Sequence, residues 1–382
     1  MIKLKPELIS NLDTVSGLQE ALQTAIELEH STIPPYLYAF FSLDPNQQPN
    51  DPNGKAQENL CNTLFTIVYE EMLHMGLACN LLNAIGGSPQ IMTEKFIPKY
   101  PTQLPGGVES GLEVPLAPLS LTLVEKVFME IEEPEHVVPI GTDAKTILAQ
   151  NPDHITIGQF YTAIRTQFEI FEKLGENIFV SPPRNQVDLT PVFTEEQFVE
   201  ETGFYENTNH EIPKQVTDTA SAVAAIDLIM GQGEGTSTSP LDPEGVMAHY
   251  YRFGQIANQK TLIPDPDKPG DWKYAGTGEG GEDILFDPAW IVPLTTNPKE
   301  ADYPANSSVL ADCRRFNEMY TLVLNYLDKA FNGTPGDLGD DPGSGARGMM
   351  SKLLDQAYVV TNHPLGNGLY AGPSFEYHPL VK

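Results

Sequence analysis

Residues 67–78 read Ile67-Val68-Tyr69-Glu70-Glu71-Met72-Leu73-His74-Met75-Gly76-Leu77-Ala78. They sit inside a longer periodic stretch. Leu60, Leu64, Ile67, Glu71, His74, Ala78, Leu81 and Ile85 recur at steps of three and four, the spacing of one helix face. The spacing predicts a helix over about 57–85. Gly86-Gly87 stops it, with Pro89 close behind. Glu71 and His74 stand one turn apart on a face that is otherwise apolar. A carboxylate drawn into a core costs several kcal/mol unless something compensates it. A bound cation is one compensation and a buried hydrogen-bonded pair is another.

Outward from this helix the chain reads as helices joined by long, punctuated loops. A helix over about 16–43 opens on a capping box of Ser16 and Gln19. Its stripe is Leu18, Leu22, Ala25, Glu29, Thr32 and Tyr36, and Pro34-Pro35 is expected to kink it. Residues 44–55 and the proline-rich 88–117 are loops by composition. Ser120 caps a helix of about 121–132 that ends before Pro134. Thr156 and Gln159 form a capping box opening a helix of about 157–176. After an irregular 177–213, an Ala-rich helix over 216–230 ends at Gly231. Asp242-Pro243 reads as a cap and first-turn proline opening a helix of about 243–258. Residues 260–303 read as loop, and amphipathic helices follow at 307–331 and 347–361. Strand signals are few. The fold class is mainly α, and helices with inward polar residues point to a bundle.

Three further residues share the character of Glu71 and His74. Glu29 lies on the apolar stripe of its helix between Ala25 and Thr32. Two adjacent helices then each carry a carboxylate on an apolar face. A metal site and a buried Glu29–His74 pair both explain it. Glu132 ends its helix one turn beyond Phe128, amid Glu130, Glu133 and Glu135, so a solvated acidic run competes with an inward role. His249 shares a face with Val246, Phe253 and Ile256. In carboxylate-bridged di-iron bundles two helices supply a Glu each and two supply E-x-x-H. A second E-x-x-H ending at His249 needs a carboxylate at 246, where this chain has Val246. Glu234 and Glu244 could substitute, though neither lies on that face at helical spacing. Gln159 is better explained as a cap than as a ligand. Gly276–Gly281 matches G-x-G-x-x-G, but no strand precedes it.

The chain has 382 residues with 22 basic and 52 acidic side chains, a formal net charge of −30. Such a surface repels phosphate backbones and anionic membranes, so neither nucleic acid nor membrane is an expected partner. Three cysteines make no disulfide framework. The first residues lack the apolar core of a signal peptide, and no stretch reaches the length of a membrane span. The expected location is the cytoplasm. Glycine (31) and proline (33) make up about one residue in six, above the ordinary share of roughly 12%.

A resemblance adds to this reading. The stretch Leu28-Glu29-His30-Ser31-Thr32-Ile33-Pro34-Pro35-Tyr36-Leu37 resembles the first helix of the ferritin-like domain family named for iminophenylpyruvate dimer synthase, from bis-indole pathways such as violacein and rebeccamycin. Glu70–Met75, Asn83–Gly87, Ile131–Glu135, Ile157–Tyr161, Gln232–Gly235 and His249–Phe253 continue it in order, over about residues 16–260. Ala371–Phe375 resembles longer members. The resemblance implies a ferritin-like four-helix bundle with a metal site at Glu29, Glu71, His74, Glu132 and His249. It implies iron, as one ion or two, with another divalent metal as the alternative. It also implies oxidative chemistry on a small organic, amino-acid-derived substrate in specialised metabolism, with O2 or peroxide as oxidant. A homo-oligomer or a pathway partner enzyme is the expected protein partner. Val246 departs from the pattern and bears on whether two metals bind.

The expected organisation is a metal-binding bundle over 1–260 and a loop-rich extension over 261–382 with two helices packed on it. The preferred function is a non-haem iron oxidase or oxygenase, with Tyr36 and Tyr251 close enough in sequence to ligands to line its pocket. A ferroxidase or iron-storage protein is the alternative. A degenerate scaffold without metal is the third reading.

Overall fold

A computed structural model describes residues 3–44, 56–107, 111–134, 144–150, 153–193, 211–236, 239–243, 245–339 and 345–379. Its helices, in chain order, begin with α1 (Val15–Phe41) and α2 (Ala56–Ala84). Next comes α3, built from Leu121–Leu123, a π-helical turn Val124–Phe128 and Met129–Ile131. Then follow α4 (Ala144–Gln150), α5 (Ile157–Lys173), α6 (Thr219–Glu234) and α7 (His249–Asn258). The last two are α8 (Ser308–Phe331) and α9 (Ala346–Thr361). Two antiparallel strand pairs also form: β1 (Thr102–Gln103) with β2 (Glu113–Val114), and β3 (Thr261–Pro264) with β4 (Trp272–Ala275).

The mainly α expectation holds. Helix α1 packs along α2, α2 against α6, α6 against α5, and α5 back on α1. These four close a ring around one apolar core that includes Leu22, Ile26, Leu64, Ile67, Phe160, Ile164 and Ile226. Helix α7 packs against α2, α3 and α6. Helices α8 and α9 pair with each other and lean on α1 and α2.

Helix α1 runs unbroken through Pro34 and Pro35. Neither proline has an N–H, so the carbonyls of His30 and Ser31 lose their helical donors. The Tyr100 hydroxyl takes over at Ser31, donating to its carbonyl at 2.7 Å. The capping expectation is corrected here. Thr14, not Ser16, caps α1 by accepting from Gly17 N at 3.0 Å. Gln19 instead donates to the Ile85 carbonyl at 2.9 Å, tying the start of α1 to the end of α2. Gly86 then turns with φ +82°, in the left-handed region.

The predicted capping box at Thr156 and Gln159 forms in full, so Gln159 serves as a cap. Helix α6 is capped by Asp218 and runs on through Gly231 and Gly233 to Glu234, past the expected stop. The predicted helix over 243–258 begins only at His249. Asp242 and Val246 instead close a tight turn. The Asp242 and Val246 main chains pair (Asp242 N to Val246 O, 2.8 Å), Val246 N donates to Asp242 Oδ1 at 2.8 Å, and Gly245 has φ +89°. Residue 246 is therefore not one helical turn before His249. Strands β3 and β4 escape the sequence patterns because each is only four residues long, inside a stretch that reads as loop. Among the described residues no helix is long and apolar enough to cross a membrane.

Candidate metal centre

All five residues singled out from the sequence converge. Helix α1 brings Glu29 and α2 brings Glu71 and His74. Glu132 lies just past the last turn of α3, and His249 is the first residue of α7. They form two trios, Glu29–Glu71–His74 and Glu71–Glu132–His249, in each of which one donor atom per residue lies within 4.8 Å of the others. Glu71 belongs to both. Its Oε1 lies 3.6 Å from His74 Nδ1 and 3.0 Å from His249 Nδ1. His74 Nδ1 is also 3.4 Å from Glu29 Oε2, and His249 Nδ1 is 3.6 Å from Glu132 Oε2. The two imidazole rings stack with centroids 5.6 Å apart. The competing reading of Glu132 as a solvated carboxylate fails, since its side chain is only 9% exposed.

Each donor is oriented from behind. Gln232 Oε1 accepts from His74 Nε2–H at 2.8 Å, which turns Nδ1 towards the carboxylates. Glu70 Oε2 receives His249 Nε2–H at 2.8 Å and does the same for that ring. Glu70 is anchored in turn by Arg252 Nη1 at 2.7 Å and by Gln232 Nε2 at 3.4 Å. The Thr32 hydroxyl donates to Glu71 Oε2 at 2.6 Å, Tyr36 to Glu132 Oε1 at 2.5 Å, and Tyr161 to Glu29 Oε1. In each carboxylate one oxygen is held by a hydroxyl and the other faces the imidazoles.

The electrostatics show what so dense an arrangement demands. Burial alone pushes Glu29 and Glu132 above the usual carboxylate range, and the neighbouring Glu71 charge adds to it. Burial opposes charge on His74, but hydrogen bonding to Glu29 and Glu71 outweighs it and lifts the imidazole to about 10. Glu70 is also penalised by burial, yet the Arg252 guanidinium and His249 hold it down to about 2. His249 Nδ1 is fully buried, faces two carboxylate oxygens and makes no hydrogen bond of its own. An orphaned imidazole nitrogen beside hard oxygen donors, with a second imidazole–carboxylate group next to it, is compatible with one or two divalent cations.

These observations agree with comparison to known proteins. A family profile described as ferritin-like matches residues 22–258. The chain belongs to the ferritin-like family. A curated relative, dichlorochromopyrrolate synthase of Lentzea aerocolonigenes, is 23% identical over 96% of this chain. The chain spans about a third of that relative's length (36%). A solved structure of a ferritin-like protein from Caulobacter vibrioides superposes with a TM-score of 0.54 at 23% identity, covering 90% of this chain and 94% of that one. That likeness supports the fold alone. The ring helices α5 and α6 carry Tyr161, Gln232 and Glu234, while the short α3 and α7 carry Glu132 and His249.

A cavity of about 50 Å³ is lined by four of the five donors, Glu29, Glu71, His74 and Glu132, with the half-buried Ile157, Met230 and Glu234 at its rim. Glu234 therefore lines the cavity although it is not at helical spacing from His249. Gly158 makes room for it: a Cβ there would stand 2.8 Å from the Glu234 carboxylate oxygens. Glu244 lies outside the described residues, as does Glu135. Tyr36 does not line the cavity as expected and instead stands behind Glu132, donating to its carboxylate. Tyr251 does not line the cavity and packs on Tyr250 with centroids 5.0 Å apart.

Sequence reading missed Glu70, Gln232, Thr32 and Tyr161 as supporting residues. Glu70 is overshadowed by Glu71, from which it is rotated about 100° around the helix. Gln232 lies between two glycines that read as a helix stop.

Proposed function

We propose that this ferritin-like chain is a metal-dependent oxidoreductase, a non-haem iron oxidase or oxygenase acting on a small organic, amino-acid-derived substrate in specialised metabolism. The observation that carries the proposal is the pair of buried carboxylate–imidazole trios sharing Glu71. Glu29, Glu71 and His74 would hold one ion, and Glu71, Glu132 and His249 a second. The family membership and the biosynthetic relative support an enzyme over a storage protein. The full activity of that much longer relative is not carried over, and the substrate is read only as a class.

Bound iron would supply redox activation of O2 or peroxide. The chain's own residues do the rest. Gln232 and Glu70 keep both imidazoles in the metal-binding tautomer. Thr32, Tyr36 and Tyr161 fix the carboxylates so that little reorganisation is needed. Leu28, Ile131 and Ile229 line the inner cavity and keep bulk water out. A space of about 50 Å³ takes an oxidant but not an amino-acid-sized molecule. The substrate would meet it at the rim, where the Glu234 carboxylate favours a cationic or hydrogen-bond-donating group.

We place the functional unit at residues 1–260, with 261–382 as an extension packed on it. The metal is tested by elemental analysis of protein purified without chelator and again after anaerobic loading with ferrous iron. Up to two equivalents per chain are expected. No iron, manganese or zinc above trace, before or after loading, would overturn the proposal.

A further inference from the structure

A second cavity lies on the far side of α1 and α2 from the metal cluster, where α8 and α9 lean on the bundle. Its volume is about 170 Å³. An engineered apolar cavity of about 150 Å³ stays dry and takes up benzene, so this space suits one aromatic ring with a small substituent. The wall is almost wholly apolar, with Leu37, Val68, Met72 and Leu324 typical of it. Packed interiors rarely leave such a void.

Tyr69, Tyr320 and Ser351 also line it, but His30 and Arg347 give the cavity its chemical preference. His30, only 3% exposed, lines it from α1. Its Nε2 meets the Tyr320 hydroxyl at 2.8 Å, while its Nδ1 has no hydrogen-bond partner. Buried polar atoms are nearly always satisfied, so an unpartnered imidazole nitrogen in a cavity wall marks a place where a ligand atom fits. Arg347, at the start of α9, lines the same cavity beside Tyr69, with which its guanidinium hydrogen-bonds through part of its fork of donors. A guanidinium beside apolar surface is the usual recognition element for a planar carboxylate. Ligand pockets are built this way, mostly apolar with a few placed polar groups.

We propose that this cavity is a binding site for a small aromatic carboxylic acid, with the ring among the α2 and α8 side chains, the carboxylate on Arg347 and a polar ring substituent on His30. The site is separate from the metal cluster. It does not depend on the oxidoreductase reading, because α1 and α2 stand between the two.

The test uses the full chain and three probes: 4-hydroxyphenylacetate, phenylacetate and p-cresol. Binding is followed by calorimetry, with metal content measured on the same samples. The expected order is 4-hydroxyphenylacetate tightest, then phenylacetate, then p-cresol. Arg347→Met is expected to weaken both acids roughly ten- to a hundredfold, as loss of a charge-assisted contact does, and to leave p-cresol unchanged. Leu324→Phe, which fills the cavity, is expected to abolish binding of all three with metal content intact. Met350→Phe serves as the second filling variant if Leu324→Phe does not fold. Binding of p-cresol alone would overturn the assignment to acids. No binding of any probe, or binding unmoved by both filling variants, would overturn the site. Neither result touches the metal content, so failure here is distinct from failure of the proposed function.

Discussion

At the scale of single residues the site is held less by its donors than by what stands behind them. Gln232 has no charge to offer a metal, yet it sets which nitrogen of His74 faces the carboxylates. Gln232→Leu should weaken metal binding by about ten- to a hundredfold while leaving the helix content unchanged, as outer-shell substitutions do. A competition titration against a metal-sensitive dye would measure it. Tyr100 offers a test of the helix itself. Tyr100→Phe leaves the Ser31 carbonyl, freed by Pro35, buried with no donor. The expected loss is about 1–3 kcal/mol in urea unfolding. Of these residues the sequence showed the donors and hid their supports. Glu29, Glu71 and His74 stand out because a charge on an apolar stripe is anomalous. Gln232, Thr32 and Tyr161 do not, because a polar residue near an apolar face is ordinary.

At the scale of elements, the long periodic helices were legible and the short ones only in part. Helices α1, α2, α5, α8 and α9 carry enough turns for their spacing to speak, and their ends fall within a few residues of expectation. Helix α7 starts later than its sequence suggests, because Asp-Pro is a good cap in isolation. Here the left-handed Gly245 and the Asp242–Val246 pairing win, and a local turn replaces the first helical turn. The anticipated second E-x-x-H thus fails on geometry before it fails on Val246. Helix α3 carries a π-helical turn over Val124–Phe128, which no spacing rule revealed. Such a turn holds one residue more than the α-helix around it, and it re-aims the side chains beyond it. Deleting the exposed Glu125 should restore α geometry and rotate Glu132 by about 100°. The expected outcome is one metal ion per chain instead of two, read by elemental analysis, with Glu29, Glu71 and His74 still serving the remaining ion.

At the scale of the whole molecule the net charge of −30 has two different sources. Among the described residues most of the acidic groups lie outside the core, where they favour solubility. Glu29, Glu70, Glu71 and Glu132 are inside, drawn into the space between the bundle and the short helices. Only Glu70 has a permanent cation, Arg252, against it. The other three make the folded state costly without a bound cation, so metal should act as a stabiliser. At free metal near a hundred times Kd the gain is about 2.7 kcal/mol. The melting temperature should rise by several degrees on loading and fall again on treatment with chelator. A melting curve indifferent to metal would count against binding in the core.

The most direct measurement is a crystal soaked anaerobically in ferrous iron, with anomalous diffraction recorded at the iron edge. We predict two peaks on either side of the Glu71 carboxylate, one against Glu29 and His74 and the other against Glu132 and His249. A map with no peak at these five residues would contradict the metal centre.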